Sequence, residues 1–252
     1  SDVTIVVAGI EEGEFRDRAF LGLPGHQEEL IRAVAATGRP VVVVLVGGSA
    51  ITMSAWLDRV DAVLLAWYPG QEGGRAVAEA LFGETDPAGR LPITFPLAEG
   101  QLPLTYRHKP TGRGDDYVDL PGRPLFPFGY GLSYTRFEYA GLAITPDPIA
   151  PGDTARITCR VRNVGPRAGD EVVQLYLHDE LASVARPVEE LAGFQRIHLA
   201  PGEEREVSFP LGPERLALLD RRLHRVVEPG DFRIMLGASS QDIRLSGTLT
   251  VR

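Results

Sequence analysis

The residues best suited to chemistry follow the first apolar run of the chain: Gly9-Ile10-Glu11-Glu12-Gly13-Glu14-Phe15-Arg16-Asp17-Arg18, with Leu23-Pro24-Gly25-His26-Gln27 close behind. Carboxylates in such a place suit general acid–base work, in which a positioned side chain gives or takes a proton as a bond breaks. In an open α/β sheet, ligands bind outside the carboxyl ends of the strands, so a glutamate cluster on that exit can meet a substrate. The plain alternative is a solvated acidic loop, with Asp17 paired to a neighbouring arginine and Arg16, Asp17 and Arg18 bracing the turn. Trp67-Tyr68, at the end of another apolar run, offers an aromatic surface for a ring-shaped ligand or simply packs the turn at Pro69-Gly70.

Other chemistries find little support. Gly9 to Gly13 lacks the third glycine of a dinucleotide fingerprint, Gly47-Gly48-Ser49 lacks a phosphate-loop lysine, and Ser49 lacks the flanking glycines of a hydrolase elbow. His26, His108, His178, His198 and His224 show no paired spacing and no accompanying thiolates, so neither a metal nor a cofactor is expected. The single cysteine, Cys159, excludes an internal disulfide and is expected to pack; it leaves the compartment open, whether cytoplasmic or secreted.

With 252 residues, 44% hydrophobic and 24% charged, the chain has the balance of a soluble globular protein of one large or two ordinary domains. A net charge of −8 disfavours nucleic acid and anionic membrane as partners, and points to a neutral one. The longest apolar run, Val41 to Val46, falls far short of the roughly 20 residues of a membrane helix. Ser1-Asp2 shows no basic start or cleavage site, so no export signal is expected in these residues.

Up to about residue 95 the signals alternate: Val3 to Ala8 apolar, Pro24 to Ala36 helical, Val41 to Val46 apolar, Val60 to Trp67 apolar, Gln71 to Phe82 helical, Leu91 to Phe95 extended. This predicts a mostly parallel sheet with helices on both faces, its strands buried on both sides. Residues 96–127 carry neither period and are expected to form an extended linker or crossing arm lying against a surface. From residue 128 the period is 2: Ala155, Ile157, Cys159 and Val161 alternate with polar residues, as do Phe232, Ile234 and Leu236 and then Ile243, Leu245, Leu249 and Val251. Pro-Gly turns at 151–152, 201–202 and 229–230 punctuate them, so 128–252 reads as an all-β sandwich of fibronectin type III kind.

A succession of motifs resembles the C-terminal half of glycoside hydrolase family 3, the β-glucosidases and their relatives. It comprises Gly13-Glu14-Phe15-Arg16-Asp17-Arg18, Leu23-Pro24-Gly25-x-Gln27, Ala66-Trp67-Tyr68-Pro69-Gly70-Gln71-Glu72-Gly73-Gly74, Gly89-Arg90-Leu91-Pro92-x-Thr94-Phe95-Pro96 and Pro127-Phe128-Gly129-Tyr130-Gly131-Leu132-Ser133-Tyr134. Asn163-Val164-Gly165, Gly169-Asp170-Glu171-Val172-Val173-Gln174-Leu175-Tyr176 and Glu190-Leu191-x-Gly193-Phe194 continue it. The resemblance implies an α/β sandwich domain (1–95) followed by a fibronectin type III-like domain (128–252), in an enzyme whose barrel domain lies outside this chain. It implies the acid/base of a retaining β-glycosidase at Glu14, with Glu11 and Glu12 as alternatives, while the aspartate nucleophile comes from the barrel; Arg16 and Trp67 are the candidate substrate contacts. The substrate class is a β-glucoside or oligosaccharide, or a β-xyloside, attacked at its non-reducing end. The rival reading is a non-catalytic assembly or carbohydrate-attachment module, and a homodimer stays open.

Overall fold

A computed structural model describes residues 1–111 and 116–252; part of the predicted linker, 112–115, lies outside the described residues. The chain divides into two compact units. The first comprises 1–85, 94–104 and 117–126; the second comprises 86–93, 105–116 and 127–252.

In the first unit, β1 (Thr4–Gly9), β2 (Val41–Val46) and β3 (Ala62–Trp67) form a parallel sheet in the order β1-β2-β3. Helix α1 (Gln27–Ala35) packs against β1 and β2 through the fully buried Ile31, and α2 (Gly73–Leu81) follows β3. Both helices begin later than their sequence signals: Pro24 precedes α1, and Gln71 precedes α2. Glu28 and Glu29 occupy the first turn of α1, where the helix dipole favours negative charge. Gly38, just past α1, adopts a left-handed φ of 71°.

The sheet departs from the expectation of strands buried on both sides. Val41, Val43, Val44 and Leu45 of β2 are buried, as a central parallel strand should be. On the edge strand β1, only Val6 and Ala8 face the core, whereas Ile5 and Val7 are 43% and 68% exposed. β1 is an edge strand, hydrogen-bonded on one side only, and the described residues leave its Ile5–Val7 face largely open. Nor do residues 91–95 form a strand; Phe95 makes only an isolated bridge to Phe126. That bridge helps close the unit together with the buried Gln101, whose amide nitrogen donates to the carbonyls of Pro121 (2.9 Å) and Arg123 (3.1 Å).

The second unit is a two-sheet sandwich. One sheet runs in the order β12-β11-β6-β7, from Ile243–Val251, Gly230–Gly237, Gly169–Asp179 and Glu190–Leu199; the other runs β4-β5-β8, from Phe137–Thr145, Ala155–Asn163 and Glu204–Leu211; a separate short ladder pairs β9 (Leu218–Leu219) with β10 (Arg225–Val226). All pairings within these sheets are antiparallel. The period of 2 becomes one continuous core, with Ala155, Ile157, Cys159 and Val161 facing Val173, Leu175, Phe232, Ile234 and Leu236. Cys159 packs as expected, and burial pushes its thiol up to about 11. Asn163, fully buried at the end of β5, is satisfied throughout: its amide nitrogen donates to Arg167 O and Leu199 O, and its Oδ1 accepts from Thr135 Oγ1 and Gly165 N. The same unit buries a charged pair, Arg90 Nη2 donating to Glu171 Oε1 at 2.9 Å.

Candidate active site

The carboxyl ends of β1, β2 and β3 meet around one carboxylate, that of Glu12. Its Oε2 accepts the Gly48 N–H at 2.8 Å, just past β2, and the Tyr68 hydroxyl at 3.2 Å, just past β3. Its Oε1 accepts the Ser49 hydroxyl and, at 3.3 Å, the Arg18 guanidinium. The backbone N–H of Glu12 donates in turn to the Tyr68 hydroxyl at 3.2 Å. Burial alone would raise the carboxyl's pKa, but the bonds from Ser49, Gly48 and Tyr68 and the charge of Arg18 outweigh it and hold the value below 4.5.

Local backbone features aim these groups. Gly48 approaches so closely that a Cβ there would lie 2.7 Å from the Tyr68 ring and 3.0 Å from Glu12 Oε2. The β2–β3 register slips between Leu45 and Val46, so Val46 pairs with Trp67, whose φ is 53°. A bulge of this kind redirects the following side chain, here Tyr68, toward the strand ends. The Trp67 ring meets Phe95 edge-on with centroids 6.2 Å apart. At the end of β1, Gln27 satisfies both backbone groups of Gly9, accepting its N–H at 2.7 Å and donating to its carbonyl at 2.9 Å.

Arg18 is the hub of the loop that leaves β1. Beyond Glu12 it donates to the carbonyls of Phe20, Gly22 and Ala50 (each 3.3 Å) and to Ser49 Oγ at 2.7 Å. Arg16 donates to Glu11 at 2.9 Å in an exposed pair. The expected pairing of Asp17 with an arginine is absent among the described residues, because both neighbouring guanidinium groups are already engaged by glutamates. Glu99 fastens the far end of the loop by accepting Leu21 N–H at 2.6 Å; that bond leads in lowering its pKa.

Between these anchors, Glu14 and Phe15 form the corner of a turn closed by Arg16 N–H to Gly13 O at 3.0 Å. Phe15 is 92% exposed and has a left-handed φ of 64°, a conformation that costs a non-glycine residue on the order of 1–2 kcal/mol and persists where its surroundings impose it. The Glu14 carboxyl is exposed and has no hydrogen-bond or ion-pair partner among the described residues. Of the three candidate carboxyls, then, Glu12 is committed to holding the strand ends together, Glu11 is paired with Arg16, and Glu14 is unengaged.

Neither the joining of Ser49 and Tyr68 to this cluster nor the role of Arg18 as its hub is expected from the residues alone. The one available signal was that Gly47-Gly48-Ser49 and Tyr68 each follow an apolar run, which puts them at the same end of a parallel sheet as the acidic loop. Among the described residues no group of three or more His, Cys, Asp or Glu side chains is placed to hold a metal ion, and no helix is long and apolar enough to cross a membrane.

The chain as a whole is similar to known proteins. The profile described as glycosyl hydrolase family 3 C-terminal domain matches residues 1–134, and that described as fibronectin type III-like domain matches 171–240. A β-xylosidase of Formosa agariphila is 43% identical over all of this chain and 36% of its own length. A periplasmic β-glucosidase of Salmonella typhimurium is 38% identical over 97% of this chain and 34% of its own. The crystal structure of a Listeria innocua β-glucosidase in complex with glucose superimposes with a TM-score of 0.95 at 35% identity, covering 99% of this chain and 36% of that one. The chain thus spans about a third of the length of the relatives it matches.

Proposed function

Because this chain belongs to glycosyl hydrolase family 3, carrying its C-terminal domain and a fibronectin type III-like domain, we propose that it is the C-terminal part of a retaining β-glycosidase and supplies the general acid/base from Glu14. The α/β domain of this proposal runs to residue 95 and the fibronectin-like domain from 128. The observation that carries the assignment is the division of labour among three neighbouring glutamates. An acid/base must hold a proton and release it, so it cannot also be the ionised anchor of a clamp; Glu12 is such an anchor, and Glu14 is unengaged.

In this reading a barrel domain outside the chain brings the aspartate nucleophile and most contacts to the terminal sugar. The aspartate attacks the anomeric carbon while Glu14 protonates the departing glycosidic oxygen. Glu14, now ionised, takes a proton from water as that water releases the sugar from the aspartate. Retention places the two carboxyls about 5–5.5 Å apart. The substrate is a β-glucoside or β-xyloside cleaved from its non-reducing end. Arg16 stands beside Glu14 as a substrate contact once its exposed pair with Glu11 opens; Trp67, edge-on to Phe95, contributes shape to the site.

The test is reconstitution. This chain and a separately made barrel are assayed apart and together on an aryl β-glucoside and an aryl β-xyloside. Hydrolysis is expected only in the mixture. On a substrate with a poor leaving group, Glu14→Gln should lower kcat by about 10²–10⁴-fold. With an activated aryl leaving group, azide should partly restore turnover as the glycosyl azide. A fully active Glu14→Gln mixture would falsify the assignment of Glu14, and an active isolated chain would remove the need for the barrel.

A further inference from the structure

The second unit contains a half-open cleft of about 500 Å³ whose charge runs against that of the molecule. Its lining includes Arg107, Lys109, Arg186 and Arg215 but only two carboxylates, Glu190 and Glu214, in a chain of net charge −8. These cations are not equivalent. Arg186 is largely buried and spent, donating to Glu190 Oε2 at 3.0 Å and Ala217 O at 3.1 Å. Arg107, Lys109 and Arg215 are exposed and have no carboxylate partner among the described residues. They come from two segments more than a hundred positions apart, so sequence proximity does not explain their convergence.

The lining also includes apolar side chains, with Leu177 and Leu218 buried and Pro187 and Leu191 half-buried. Tyr106 is fixed at one edge, stacked on Phe128 at 4.2 Å and accepting the Leu191 N–H with its hydroxyl at 3.3 Å. Concavity and a lining that mixes apolar side chains with a few charged groups are attributes of a small-ligand site, and the volume lies within the usual range. Excess unpaired positive charge in a concave, partly desolvated place focuses anions.

We propose that this cleft binds an anionic saccharide unit, its carboxylate or sulfate held by Arg107, Lys109 and Arg215 and the C–H face of its ring lying on the Leu191 and Pro187 surface. The preference for an anion rests on the charge of the cleft alone. The choice of a saccharide among small anions rests on the glycosidase reading, and it gives the second unit a role of its own: gripping acidic decorations on a chain whose neutral end is cleaved elsewhere.

Lys109 makes the proposal directly testable because it is the only lysine. Reductive ¹³C-methylation preserves its charge and yields one side-chain resonance, distinct from that of the Ser1 amine, that reports from the cleft. Titrating the 252-residue chain with glucuronic acid at neutral pH should shift that resonance saturably, at least tenfold more tightly than glucose. The affinity should fall several-fold between 50 and 300 mM NaCl, since the contacts are exposed and screened. Arg215→Ala and Arg107→Ala, both surface changes, should each weaken it about two- to fivefold, as expected for single exposed ion pairs. No saturable shift, or equal affinity for glucose, overturns the site; inorganic sulfate binding as tightly as glucuronic acid overturns the saccharide assignment. Glu14→Gln should leave this binding unchanged. A bound glucuronate in a chain that never supports hydrolysis would therefore sink the glycosidase reading and not the anion site.

Discussion

The sandwich and the parallel sheet solve the same problem to different degrees. In the second unit, two antiparallel sheets turn alternate residues onto a common core, and the side chains from Ala155 through Val251 that point inward find partners within the chain. In the first unit the central strand is covered, but the edge strand leaves Ile5 and Val7 open, and no residue of β3 is fully buried. The second unit therefore completes its inner core from its own strands, whereas the first holds its strand ends by polar means, through the Glu12 cluster, the Arg18 hub and the Gln27–Gly9 bracket. In the same unit, then, an open apolar face on β1 lies alongside a braced rim, at which the loop of Glu14 is anchored.

Denaturation should expose this contrast, since both tryptophans, Trp56 and Trp67, lie in the first unit and their fluorescence follows it alone. In urea the fluorescence transition is expected before the loss of far-ultraviolet ellipticity at strand wavelengths; coincident transitions would break the comparison. The largest single effects belong to the sandwich. Phe232→Ala, in its core, should cost about 3–5 kcal/mol in the ellipticity-monitored transition. Glu171→Gln, which leaves Arg90 buried without its counter-charge, should cost about as much. In the first unit, Glu12→Gln should cost about 1–3 kcal/mol by fluorescence, because Gly48 N–H and Arg18 lose a charged acceptor.

The pH dependence of the two units should run in opposite directions. Glu12 has a folded pKa below 4.5, so the fold favours its ionised form; its stabilisation is complete above that value and is lost as pH falls through the folded pKa. Glu12→Gln should therefore hurt at pH 7 and matter less near pH 3. Glu189, in the second unit, is pushed up to about 7 by burial, so the fold favours its neutral form and is weakened as pH rises from 4.5 through 7. Glu189→Gln is expected to stabilise the sandwich at pH 8 and to change nothing at pH 4; a difference from the wild type that is the same at both would overturn this. The smallest effect is the sharpest control: Val7→Ala, on the open face of β1, should change stability by no more than about 0.5 kcal/mol. A loss of 2 kcal/mol there would mean that the face is covered in solution.

Most of the architecture was legible because antiparallel strands packed on one face write their period into the sequence. Ala155, Ile157, Cys159 and Val161 could be assigned inward from alternation alone. The strands of the parallel sheet carry no such mark. A valine run reads the same whether one face or both are covered, so the exposure of Ile5 and Val7 was invisible, as was the failure of 91–95 to join a sheet. Asp17 was misread for a related reason: adjacency in sequence favoured it as the arginine partner, while Arg18 turns back to Glu12 and across to Ser49, thirty-one positions away.

What the sequence determined by itself was the pair of folds and the place of the acidic loop, with its three glutamates, at a sheet's carboxyl end. Those follow from local patterns of burial and from motif order. Which glutamate is bound and which is free was decided only in three dimensions, because hydrogen bonds from Gly48, Ser49 and Tyr68 reach Glu12 across 36 to 56 positions. The same holds for Arg107, Lys109 and Arg215, whose common cleft exists only once distant segments are folded together. Charge acts through space, and a sequence records only distance along the chain.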